Sequence, residues 1–136
     1  MLVIKKNCSE DMVAHALKEY PNECCGILAG NDNQVTRVYR ITNSTKSPYR
    51  YLMDPQEQLN AMNDAESNNI DLLAFYHSHT HSPAYPSETD VRMALQSGWL
   101  DVYYVLVSLE SKTVPEIKAF VLEEGGNIQE NEVQIR

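Results

Sequence analysis

Three of the four histidines in this chain, His77, His79 and His81, fall within one short stretch. A carboxylate, Asp90, follows them after a segment stiffened by Pro83 and Pro86. The run Asp71 to His77 is short and apolar and reads as a buried strand. Residues two apart on a strand point to one face, so His77 and His79 at its end can aim both imidazoles at one place. The two prolines make the next segment a stiff, non-helical loop ending at a helix N-terminus, with Asp90 in the first turn. Such a loop can fold Asp90 back over the histidines. Two His and one Asp leave a fourth position for water, the arrangement of a catalytic rather than a structural zinc site. A metal so held lowers the pKa of its water to about 7.

A plainer reading covers some of the same residues. Ser87-Glu88-Thr89-Asp90 is also a capping pattern, with Ser87 as N-cap and Asp90 at the third helical position. The two readings are compatible, because a hydroxyl can cap a helix and still face a site. Other metal motifs fail on the same stretch. His-x-His-x-Asp-His is broken by His81 and Ser82, His-Glu-x-x-His is absent, and no Pro-Cys-x-x-Cys accompanies a His-x-Glu. His81 is open to reading as a further ligand or a substrate contact, but reads better as a loop residue beside the site, since catalytic zinc rarely takes four protein ligands. The rival chemistry is a thiol nucleophile paired with a histidine. Its candidates, Cys24 and Cys25, are neighbours on a predicted strand and face opposite ways; buried cysteine is more often a small core residue. Spacing alone does not choose a general base, for which Glu23, Glu66, Asp71, Glu88 and Asp101 are all available.

The helices and strands that carry these residues are legible in the pattern. Ser9 reads as an N-cap, followed by a helical stripe of Met12, Val13, Ala16, Leu17 and Tyr20 that Pro21 stops. Glu23 to Ala29 reads as a strand, Gly30 to Asn33 as a turn, and Val35 to Ile41 as a second strand with Val35, Tyr39 and Ile41 on one face. Asp54-Pro55-Gln56-Glu57 is a helix start with a capping box, and Leu59, Met62 and Ala65 form its buried side. A third helix opens at Ser87 and closes at Gly98. Val102 to Leu109 and Glu116 to Leu122 read as strands, and Gly125-Gly126 as a turn. The last strand, Ile128 to Ile135, offers an exposed edge through which a homodimer could pair. Helices interspersed among strands predict one layered α/β domain over residues 1–136.

Composition narrows the partners. The net charge is −8, with lysines and arginines scattered, so neither nucleic acid nor an anionic membrane is an expected partner. Three cysteines, two of them adjacent, make a poor disulfide framework. No signal-peptide core or apolar run of spanning length is present, and the expectation is a cytoplasmic protein with reduced thiols.

The pattern His77-x-His79, seven residues, then Ser87-x-x-Asp90 resembles the JAMM motif of MPN-domain metallopeptidases. Asn22-Glu23-Cys24-Cys25-Gly26 is similar to that family's early glutamate strand. The resemblance spans essentially the whole chain and is nearest to small stand-alone prokaryotic members of the CysO–cysteine peptidase type. It implies a central mixed β-sheet flanked by helices, similar to cytidine deaminases. It also implies zinc on His77, His79 and Asp90, Glu23 as general base and acid, and Ser87 as donor to the oxyanion. The implied substrate is a ubiquitin-like or sulfur-carrier protein conjugated through a C-terminal Gly-Gly, which can add to a sheet edge as an extended tail. The bond cut is an amide to cysteine or to a lysine side chain. Tyr49 and Tyr51 can line the tail cleft or simply pack a strand, and Trp99 reads as packing. Thr80 departs from the proline many members carry there, and the insertions of eukaryotic deubiquitinases have no room. Some members lack the metal and serve as scaffolds, which is the alternative function; the intact residue set here argues for catalysis.

Overall fold

A computed structural model describes residues 1–136. Eight strands and three helices follow one another along the chain: β1 (Leu2–Ile4), α1 (Lys6–Glu19), β2 (Cys25–Asn31), β3 (Gln34–Ile41), α2 (Pro55–Ser67), β4 (Asp71–His79), α3 (Glu88–Ser97), β5 (Tyr103–Ser108), β6 (Glu116–Leu122), β7 (Ile128–Asn131) and β8 (Val133–Ile135). The strands form one mixed sheet in the order β7-β6-β5-β4-β2-β3-β1-β8. The β4–β5 pair is parallel, whereas β2 pairs antiparallel with both β3 and β4.

The sheet is buried on both faces, and the period of two sorts its side chains. Ala74 and Tyr76 join Met12 and Ala16 of α1 in one core, while Phe75 joins Ala61 of α2 and Ala94 of α3 in the other. His77 and His79 continue the series of Phe75 and so emerge on the α2–α3 side at the end of β4. On the opposite side, a Cβ at Gly26 would clash with the Tyr76 ring and with the Tyr39 carbonyl, so only glycine fits there.

Several boundaries differ from the sequence expectation for local reasons. The first helix starts at Lys6, a turn before Ser9, whose hydroxyl donates to the Lys6 carbonyl at 2.7 Å and caps nothing. Leu17 and Leu59, expected in the core, are 44% and 50% exposed; Ala65 is buried as expected, and Ala61 takes the place of Leu59 on the buried side of α2. Val35 and Ile41 lie in opposite cores because a bulge between Ala29 and Gly30 shifts the register and turns the pleat over. The last strand splits at Glu132. Its first half pairs with β6 and its second half with β1, so one continuous segment closes opposite edges of the sheet. A homodimer through this segment would have only short edges to pair. No helix is long and apolar enough to cross a membrane.

Candidate metal centre

Register brings the site together. Cys25 on β2 stands opposite His77 on β4, so Glu23, two residues earlier, falls beside His79 on the same face. Glu23 itself lies just ahead of β2 rather than within it. Its amide donates to the Ser47 carbonyl at 2.9 Å, and the Cys24 amide to the Ser78 hydroxyl at 2.8 Å, so the regular ladder begins only at Cys25.

Asp90 arrives from α3. Ser87 caps that helix: its Oγ accepts from the Asp90 amide at 3.0 Å, and Asp90 Oδ2 accepts from the Ser87 amide at 2.9 Å. The capping box thereby orients the carboxylate. The same Oδ2 accepts from His77 Nε2 at 3.1 Å and from His79 Nε2 at 3.0 Å. The capping and site readings of Ser87 and Asp90 therefore hold together. Ser87 is exposed, and its own proton is not used in the cap.

The electrostatics follow from burial. Burial pushes the Asp90 carboxyl up, but His77, His79 and the Ser87 amide outweigh it and hold the group well below the usual carboxylate range. Burial pulls His79 down, and its bonds to Asp90 and to the Pro83 carbonyl leave it raised. Glu23 is only 3% exposed, and burial pushes its carboxyl up to about 8. Its Oε1 has no hydrogen-bond partner.

The donor set fits a divalent metal. One ligand atom each from His77, His79 and Asp90 lies within 4.8 Å of the others. His79 Nδ1 donates to the Pro83 carbonyl at 2.9 Å, so Nε2 is the nitrogen left to ligate once a metal takes the place of its proton. His77 Nδ1 is buried without a partner, and its ring instead stacks on Tyr51, with centroids 4.5 Å apart at 29°. Two imidazoles and a carboxylate suit zinc and other borderline ions.

The remaining candidates fall outside this cluster. Both ring nitrogens of His81 are engaged, by the Tyr20 hydroxyl at 2.9 Å and Thr80 Oγ1 at 2.9 Å. Thr80 in turn donates to the Pro48 carbonyl at 3.2 Å, tying two loops together. Cys24 and Cys25 lie in opposite cores, and burial pushes both thiols up, Cys24 to about 12, which suits packing and not nucleophilic attack. His15 is not idle: it is buried and shares a 2.8 Å hydrogen bond with Tyr76. Asn43 was invisible to the sequence reading. Its buried amide joins Glu23 to the loop before α2, and a lone Asn among turn-forming residues gives little sign of that.

The chain is similar throughout to known proteins. Residues 5–123 match the family described as prokaryotic homologs of the JAB domain. The CysO-cysteine peptidase of Mycobacterium tuberculosis is 36% identical over 132 residues, covering 96% of this chain and 88% of that protein. The desampylase of Pyrococcus furiosus is 34% identical over 113 residues, covering 83% of this chain and 76% of that protein. A protein of Desulfitobacterium hafniense with a solution structure superposes with a TM-score of 0.87 at 36% identity, covering 100% of this chain and 93% of that one. With its His77, His79 and Asp90 gathered on a mixed sheet of this kind, the chain belongs to the prokaryotic JAB-domain family and is an enzyme of its peptidase class.

Proposed function

We propose that residues 1–136 act as one zinc-dependent peptidase domain. It hydrolyses the amide bond after the C-terminal Gly-Gly of a ubiquitin-like or sulfur-carrier protein, releasing cysteine or a lysine-linked partner. The observation that carries this reading is the convergence of His77 Nε2, His79 Nε2 and Asp90 Oδ2 on the same sheet face as the buried, unpartnered Glu23 carboxylate. The relatives' names, CysO-cysteine peptidase and desampylase, support a conjugate as substrate.

His77, His79 and Asp90 hold the ion. Zinc bound there supplies Lewis acidity, which acidifies water and polarises a carbonyl. Glu23 takes a proton on its carboxylate and returns it to the leaving amine. A carboxyl raised by burial toward neutrality can do both. Ser87 donates its free hydroxyl proton to the oxygen that gains charge. Its position at the mouth of α3 keeps that hydroxyl exposed to an incoming chain. Glycines at the end of the substrate tail suit a cleft with little space beside the scissile bond.

A panel of carrier-protein conjugates, one set ending in cysteine and one in a lysine isopeptide, tests the reading. Mass spectrometry of the zinc-loaded reaction is expected to find a freed Gly-Gly terminus from at least one set. A zinc-loaded protein that leaves both sets intact would contradict the assignment.

A further inference from the structure

The two histidines of the site are oriented by different devices. The His79 ring is anchored by the hydrogen bond from Nδ1 to Pro83. The His77 ring has no such anchor, because its Nδ1 is buried without an acceptor. Apart from the bond to Asp90 at Nε2, which both rings share, what holds it is the face of Tyr51, near-parallel at 29° and 4.5 Å between centroids. The His79 ring meets His77 edge-on, at 62°, and cannot fix its rotation in the same way.

Tyr51 is delivered by the segment between β3 and α2, and that segment is tied down on both sides of it. The Asn43 side chain donates to the Arg50 carbonyl at 3.2 Å and accepts from the Leu52 amide at 3.0 Å, so the residues flanking Tyr51 are both bound to one amide group. The same amide donates to the Glu23 carbonyl at 3.0 Å. Beyond the stack, Tyr51 lines a cavity of about 160 Å³ with Met53, Phe75, Trp99 and Tyr104. The ring therefore has apolar surroundings and a pinned backbone.

We propose that Tyr51 is a positioning residue for the metal ligand His77, doing through ring stacking what a hydrogen-bond acceptor at Nδ1 would otherwise do. The inference rests on the metal reading above. Metal ligands are ordinarily oriented by an outer partner, and loss of such a partner costs about 10- to 100-fold in metal affinity. The contact is face to face, so phenylalanine preserves it and leucine does not.

The test compares Co²⁺ affinity and visible absorption spectrum for wild type, Tyr51→Phe, Tyr51→Leu and Leu52→Ala. The Leu52 side chain is 50% exposed and serves as the control on the same loop. Tyr51→Leu is expected to lose about 10- to 100-fold in affinity and to change the spectrum, with Phe and the control staying near wild type. Unchanged affinity and spectrum in Tyr51→Leu would overturn the proposal. Equal losses in Phe or in the Leu52 control would also overturn it, since the effect would then belong to the hydroxyl or to the loop. Absence of cobalt binding by the wild type would instead overturn the metal reading itself and this proposal with it. Should Tyr51→Leu not fold, NMR on metal-free wild type decides: ring-to-ring NOEs between Tyr51 and His77 are expected, and their absence refutes the stack.

Discussion

Replacing Asn43 by alanine removes five hydrogen bonds at once. The amide nitrogen donates to the carbonyls of Glu23 (3.0 Å) and Arg50 (3.2 Å), and the amide oxygen accepts from the Thr45 amide (3.1 Å), the Thr45 hydroxyl (2.7 Å) and the Leu52 amide (3.0 Å). Each is worth about 1 kcal/mol net, but Thr45 and Leu52 are exposed and water can replace part of their loss. The Glu23 carbonyl belongs to a buried residue and has less recourse. The expected cost is about 2–4 kcal/mol, read as the change in urea unfolding free energy of metal-free protein. Asn43→Asp separates this hub from simple packing. It keeps the three accepting contacts and sets a carboxylate oxygen against the Glu23 and Arg50 carbonyls. Its cost at neutral pH should therefore equal or exceed that of alanine. A loss below about 0.5 kcal/mol in Asn43→Ala, or near-wild-type stability in Asn43→Asp, would refute the reasoning.

Glu23→Gln removes the proton carrier and keeps the shape, so zinc binding should persist while the cleavage rate falls by about 10²- to 10⁴-fold; zinc-loaded turnover at the wild-type rate would remove Glu23 from its role. Ser87→Ala should lose about 1 kcal/mol of stability through the cap and about 10²- to 10³-fold in kcat, whereas Ser87→Asn, which also caps, should recover stability but not rate. His15 carries a pH dependence of stability. Burial, helped by Arg40, lowers its pKa from 6.5 to about 4, so it is neutral in the fold and binds a proton more readily when unfolded. Stability should thus fall as pH drops from about 6.5 to 4, by at most about 3 kcal/mol from this group, and urea titrations of His15→Gln should show a shallower fall over that window.

Much of the site was legible because its chemistry is local in sequence. His77 and His79 share a strand face by simple alternation, and the Ser87–Asp90 cap is a contiguous pattern, so both appear in the fold as the spacing suggested. What composition and spacing could not choose was Glu23 among five carboxylates. That choice depends on the pairing of Cys25 with His77, a register between strands fifty residues apart, and only the family resemblance singled it out. Tyr51 carries two equal readings in the sequence, cleft lining and strand packing, because a stack on His77 depends on how a loop folds back over the sheet. Asn43 gave no signal, since its five contacts reach four residues, Glu23, Thr45, Arg50 and Leu52, that only the folded loop brings around one amide. The face swap between Val35 and Ile41 was missed for a similar reason: a one-residue bulge reverses every side chain beyond it, and no residue type announces it.

On the proposed function, cleavage requires a metal on His77, His79 and Asp90. Zinc titration into chelator-stripped protein, with conjugate cleavage followed at each addition, tests it most directly. No cleavage is expected in the stripped protein, with activity rising to a plateau at one zinc per chain, and neither tight binding nor activity in His77→Ala. Wild-type cleavage rates in stripped protein, or full restoration by zinc in His77→Ala, would contradict it.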